Sequence, residues 1–197
     1  MAGSSNNARW RTVDIVVAAA LAAAFGAIFQ LWNIIWKGGE GPFAFYKPAE
    51  ALIYGVWLLP AVLAGYVIRK PGAALFTETV AAAISLLLGS PWGATVVLQG
   101  AIEGAGAELG FAVSGYRWYR PWAAALSGAL GGLAATLFDA FAYYAGTSWL
   151  TFRLPYIAFG TVSSLLIAGL GSVALSRGLA RTGVLDRFPV ATERAAI

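Results

Sequence analysis

The sequence predicts an all-α integral membrane protein, a six-transmembrane-helix bundle with both termini cytoplasmic, and three observations lead there. Of its 197 residues 59% are hydrophobic and only 11% charged, with a mean hydropathy of +0.72, where ordinary soluble domains carry roughly 25% charge. A soluble domain of this length leaves too much surface in water to be covered by so few polar side chains. The chain also divides into six apolar runs near the length of about 20 residues that crosses a bilayer. Lysine and arginine, finally, concentrate in alternate breaks between those runs.

The first segment, 13–36, is uncharged from Ile15 to Trp36, and its apolar stretch exceeds the roughly 7–15 residue core of a secretory signal, so it is expected to stay as a span. The second, 49–68, is uncharged from Ala51 to Ile68. The third, 72–88, is interrupted only by Glu78, and the fourth, 93–113, carries Glu103 and Glu108. The fifth, 121–145, carries Asp139; the sixth, 154–177, is uncharged from Leu154 to Ser176. Gly38 to Pro42, Arg69 to Gly72, Gly89 to Pro91, Ser114 to Tyr116 and Gly146 to Ser148 supply residues that leave helices. A single membrane domain over 1–197 is expected, with disordered tails at Met1 to Asn7 and after Phe188.

Basic residues in short loops stay in the cytoplasm. One side carries Arg9, Arg11, Arg69, Lys70, Arg117, Arg120, Arg177, Arg181, Arg187 and Arg194, the other only Lys37, Lys47 and Arg153. This asymmetry places the termini inside and the Lys37 to Lys47 loop outside. Trp36, Phe43, Phe45, Tyr46, Trp92, Trp149 and Phe152 fall at the outer ends, and Trp10, Tyr116, Trp118, Tyr119 and Trp122 at the inner ones, as interfacial belts do.

Histidine and cysteine are both absent. Thiolate chemistry, the usual zinc ligands and the Ser-His dyad go with them, so neither an enzyme nor a bound cofactor is expected. The net charge of +4 is spread over short loops without a basic tract, which argues against nucleic acid. Lys37, Lys47 and Lys70 are followed by Gly, Pro and Pro, so no phosphate-binding G-x-x-x-x-G-K-[ST] loop is present. An active transporter built on this chain has to take ATP hydrolysis from another chain or couple to ions through Glu103 or Asp139.

In lipid, small residues at four-residue spacing mark close helix contacts. Gly100, Gly104, Gly106 and Gly110 on the fourth segment, with Gly128 and Gly132 on the fifth, suit internal packing. The first segment has two such rows, Ala18, Ala22 and Gly26 beside Ala19, Ala23 and Ala27. The first row is the expected contact for a partner membrane protein.

A carboxylate at bilayer depth costs at least about 2.5–3.5 kcal/mol, so each needs a partner, a wet cavity or a proton. Glu50, Tyr54 and Trp57 follow one helical face; Thr95, Gln99 and Glu103 descend another; Asp139 and Tyr143 sit one turn apart. Convergence of these stripes makes an outward-facing pocket for a flat, polar or cationic small molecule. Glu78 and Glu108 share the inner third of the bundle. Two readings stay open for them, a structural hydrogen-bonded pair and a role in substrate handling or gating, with Arg69 or Arg117 as possible counter-charges.

Arg69-Lys70-Pro71-Gly72-Ala73-Ala74-Leu75, Glu78 and Leu88-Gly89-Ser90-Pro91-Trp92-Gly93 carry a resemblance that continues at Ile53 to Trp57, Gly104 to Glu108, Phe138-Asp139 and Thr182 to Leu185. Over Ile53 to Leu185 the chain resembles the S components of energy-coupling factor (ECF) vitamin transporters, of the YkoE type. The resemblance implies a substrate-binding subunit for thiamine or its hydroxymethylpyrimidine precursor, working with a membrane coupling subunit and ATPase subunits. It implies too that small residues on the first helix meet the coupling subunit. The chain departs from the expected pattern at Glu103, where Gln is expected before Gly-x-Gly-Ala-Glu. On these terms Glu50 or Glu103 answers the ligand's charge, Gln99 and Asp139 bind its amino group and ring nitrogens, and Trp57, Tyr54 and Tyr143 stack on it. An ion-coupled secondary transporter of a small cationic or aromatic solute, and a structural membrane protein without a ligand, are the alternatives.

Overall fold

The computed structural model describes residues 9–38 and 41–194. Every regular element among them is helical: α1 (Thr12–Gly38), a 3-10 helix (Lys47–Val56), α2 (Leu59–Ile68), α3 (Ala73–Leu87), α4 (Thr95–Ala112), α5 (Pro121–Ala142), a π-helical turn (Trp149–Arg153), α6 (Leu154–Ser164), a second π stretch (Leu165–Leu170), α7 (Gly171–Arg181) and α8 (Pro189–Arg194). Four stretches, Thr12–Gly38, Lys47–Ile68, Pro121–Ala142 and Trp149–Arg181, are long and apolar enough to cross a membrane, and Ala73–Leu87 is a shorter apolar helix.

The stretch Lys47–Ile68 is 72% buried over its most apolar window, against 33% for Thr12–Gly38, so it runs through the middle of the bundle while α1 lies at the rim. Around it α1 packs on α3, α3 on α4, α4 on α5, and α5 on α6. This central segment, expected as one continuous helix over 49–68, is broken. The 3-10 helix stops at Val56 and α2 starts at Leu59, with Pro60 in its first turn, where the missing N–H is not needed and the ring keeps an α-helix from running through from Val56. Ahead of the break, the Gly55 N–H bonds to the Ser163 hydroxyl at 3.0 Å and that hydroxyl donates to the Leu52 carbonyl at 2.8 Å. A side chain of α6 thereby takes the place of an α-helical partner, and the tighter 3-10 winding results.

The sixth segment, expected over 154–177, runs longer, from Trp149 to Arg181, through two π-helical stretches. The fifth ends at Ala142 instead of 145. The tail expected at Met1 to Asn7 lies outside the described residues. That expected after Phe188 is corrected over Pro189–Arg194, which is helical, with Leu185 and Phe188 buried in the core just before it.

Ala18, Ala22 and Gly26, expected to meet a partner, are instead used inside the chain. Ala18 and Ala22 are fully covered, and a Cβ on Gly26 would stand 2.7 Å from Ile84 Cγ2 of α3. The neighbouring row, Ala19, Ala23 and Ala27, is exposed. At the start of α1 the fully buried Asp14 pairs with Arg11 at 2.8 Å and Lys70 at 3.0 Å, while Trp10 Nε1 donates to the Pro71 carbonyl at 3.0 Å. Lys70 also donates to the Arg9 carbonyl. These contacts clip the first helix to the α2–α3 turn.

Glycine lets α4 and α5 meet at backbone distance. A Cβ on Gly110 would fall 2.3 Å from Ser127 Cα, whereas one on Gly146 would meet nothing within 4 Å. Gly110→Ala is therefore expected to lower stability by about 1–3 kcal/mol through overpacking, and Gly146→Ala to leave it unchanged. The thermal unfolding midpoints of the purified variants in detergent check both.

Candidate functional site

A cavity of about 230 Å³ opens between α1, the 3-10 helix, α3, α4, α5 and α6. It lies in the half of the bundle remote from Thr12, near the end of α1 and the start of α4. Tyr54, Trp57, Gln99, Glu103, Asp139 and Tyr143, on three separate stripes of the sequence, all line it. Glu50 does not. It is turned into the protein beside Lys47, with 2.7 Å between Lys47 Nζ and Glu50 Oε2. The 3-10 winding changes the angle between successive side chains from that of an α-helix, so Glu50 and Tyr54 no longer share a face.

Gln99 is the hub of the polar wall. Its Nε2 donates to the Tyr54 hydroxyl oxygen at 2.8 Å and to Asp139 Oδ1 at 3.0 Å, and it stands 3.3 Å from Glu103 Oε1. The Tyr54 hydroxyl donates onward to Glu103 Oε1 at 3.1 Å, and Tyr156 donates to Asp139 Oδ2 at 2.8 Å. On the other side of the amide, the Tyr143 hydroxyl donates to Gln99 Oε1 at 3.4 Å and shares a 3.1 Å contact with Thr95. Both carboxylates are buried, Glu103 at 5% exposure and Asp139 at 3%. Among the described residues no lysine or arginine lines the cavity.

Rings close the remaining sides. Trp36 and Trp57 meet at 4.8 Å between centres, Tyr54 and Trp57 at 5.2 Å, and Trp92 faces Tyr143 at 6.3 Å. The Tyr54–Trp57 pair is edge-to-face and the other two are tilted, so none of the three is stacked and ring faces stay available to a flat guest. Sequence reasoning missed Phe29, Asn33 and Trp36 of α1, along with Trp92, Tyr144 and Tyr156. In the sequence Trp36 and Trp92 read as members of the interfacial belt. Spacing carries a signal: Phe29, Asn33 and Trp36 fall four and then three residues apart and continue the buried stripe of Ala18, Ala22 and Gly26. Asn33 is held by Trp92, whose Nε1 donates to Asn33 Oδ1 at 3.0 Å.

Comparison with known proteins decides the family. Residues 13–134 match the model of the ABC-type cobalt transport system permease component. The chain is 34% identical over 193 residues to a Bacillus subtilis (strain 168) protein described as HMP/thiamine permease protein YkoE, covering 93% of this chain and 92% of that one. A crystal structure of an S-component of an ECF transporter superposes with a TM-score of 0.89 at 33% identity, covering 95% of this chain and 94% of the other. The chain belongs to the ECF transporter S components, of the YkoE type. It is a multi-pass membrane transporter component and not an enzyme.

In this S component Glu78 and Glu108 are engaged with different helix ends. Glu78 Oε2 accepts the Ala61 N–H at 3.0 Å, a donor set free by the break in the central segment. Glu108 accepts the N–H groups of Gly72 at 2.8 Å, Ala74 at 2.9 Å and Leu75 at 3.3 Å, capping the first turn of α3. A carboxylate on the N-terminal amides of a helix also meets the positive end of its dipole. Burial and the adjacent Glu108 push the Tyr116 phenol up to about 12. Neither residue lines the cavity. Glu108→Ala is expected to cost about 1–3 kcal/mol of stability by stranding these amides, with ligand affinity changed less than about twofold. Thermal unfolding and ligand titration of one preparation separate the two effects.

Proposed function

We propose that this S component captures thiamine or its hydroxymethylpyrimidine precursor from the outer side of the membrane and delivers it inward with a transmembrane coupling subunit and ATPase subunits. One observation carries the reading: two buried carboxylates and an amide occupy one wall of a cavity otherwise built of aromatic rings. That combination fits a flat aminopyrimidine, which stacks on rings and pairs its amino group and ring nitrogen with Asp139 and Gln99. Glu103 answers the cationic thiazolium, a part left to it because Glu50 is paired with Lys47. Trp57, Tyr54 and Tyr143 supply ring contacts. Among the described residues no group of three or more Asp or Glu is placed to hold a metal ion, which favours an organic guest over a bare cation.

The topology that goes with this reading has six spans and cytoplasmic termini, so that the cavity faces out and the Arg11, Asp14 and Lys70 cluster faces in. The exposed Ala19, Ala23 and Ala27 row on α1 is the surface offered to the coupling subunit, since Ala18, Ala22 and Gly26 are already covered. Glu103→Gln and Asp139→Asn are each expected to weaken thiamine binding at least tenfold, about 1.4 kcal/mol. Calorimetric titration of the purified chain in detergent measures this. Unchanged affinity in both variants removes the assignment, and thiamine uptake by the chain alone, without an ATPase, assigns it to an ion-coupled carrier instead.

A further inference from the structure

We infer that the Glu103 and Asp139 pair takes up a permanently cationic guest in exchange for a proton, and so distinguishes it from a neutral guest of the same aminopyrimidine chemistry. The inference rests on the proposed vitamin-binding role and adds to it a charge balance.

Gln99 Nε2 carries two hydrogens, and three acceptors lie within its reach: the Tyr54 hydroxyl oxygen at 2.8 Å, Asp139 Oδ1 at 3.0 Å and Glu103 Oε1 at 3.3 Å. Tyr54 and Tyr156 each contribute one more hydrogen, to Glu103 and to Asp139. These donors are all neutral, so they orient two carboxylates without cancelling either charge.

Among the described residues, no element packed around the pair supplies a counter-charge. Glu78 from α3 is acidic; Tyr54, Tyr143, Tyr144 and Tyr156 are neutral phenols; α1 presents Phe29, Asn33 and Trp36. The basic residues of this end are placed elsewhere. Lys37 is exposed, Lys47 pairs with Glu50, and Arg153 donates to the Tyr144 and Ala145 carbonyls. Two like charges held by one amide group and buried in the protein repel strongly, and the available remedy is a mobile positive charge. In the empty site that charge is one proton shared by the pair. A guest that brings its own fixed cation makes the proton redundant, and it leaves to solvent: one proton released per cation bound, with net charge conserved. A neutral guest leaves the proton in place.

The test is proton counting on the full-length chain in detergent, by titration calorimetry in two buffers of different ionisation enthalpy near neutral pH, with thiamine and with hydroxymethylpyrimidine. Thiamine is expected to release about one proton and to lose about tenfold in affinity per unit fall in pH, while hydroxymethylpyrimidine releases none. Glu103→Gln and, separately, Asp139→Asn are expected to abolish the release; the wild-type count stands without them if either variant fails to fold. Binding of both compounds with equal proton counts overturns the exchange and leaves the vitamin-binding reading intact. Binding of hydroxymethylpyrimidine alone also overturns the exchange, and binding of neither overturns both.

Discussion

A bilayer interior offers no water to an unpaired amide or charge, and this S component is organised around that constraint. Several polar groups placed at depth are matched by one from a different helix. Glu78 of α3 takes the Ala61 N–H that the break in the central segment releases, and Ser163 of α6 takes that of Gly55. Glu108 of α4 covers the first amides of α3. Because the partners come from separate elements, each match also fixes a distance between helices. Satisfying hydrogen bonds and locating the wall of the cavity are therefore one problem.

Backbone proximity makes such short side chains sufficient. Gly104 lies against the Leu75 backbone and Gly110 against that of Ser127, which draws α3, α4 and α5 together. With those axes so close, Gln99 on α4 reaches Asp139 on α5 and Tyr54 on the central segment at once. Small residues that serve packing thus also set the reach of the polar groups. The same economy accounts for α1, whose Ala18, Ala22 and Gly26 seal it to the bundle while Ala19, Ala23 and Ala27 stay uncovered.

Among the described residues, two of the three irregular windings fall beside the cavity. The 3-10 helix ends at Val56, between Tyr54 and Trp57, and the first π turn ends at Arg153, three residues before Tyr156. Arg153 bonds the Tyr144 carbonyl at 2.8 Å and lies 4.8 Å from the Trp149 ring, holding the connection that carries Tyr143 and Tyr144. Helices rewound at this level turn side chains away from the directions that α-helical spacing dictates, and Glu50 is the case in point.

Much was legible without coordinates. Membrane class, the approximate limits of the helices, and the faces bearing Tyr54, Trp57, Gln99, Glu103, Asp139 and Tyr143 follow from composition and from the 3.6-residue period, because hydropathy and helical phase are local properties of the chain. What only tertiary structure decided is which faces meet and which residues leave that phase. Glu50 turned to Lys47, the burial of one alanine row in place of its neighbour, and the entry of Phe29, Asn33, Trp36 and Tyr156 into the cavity wall all depend on crossing geometry and on hydrogen bonds between segments far apart in sequence. Those are properties of pairs of helices, and no single stretch of sequence encodes them.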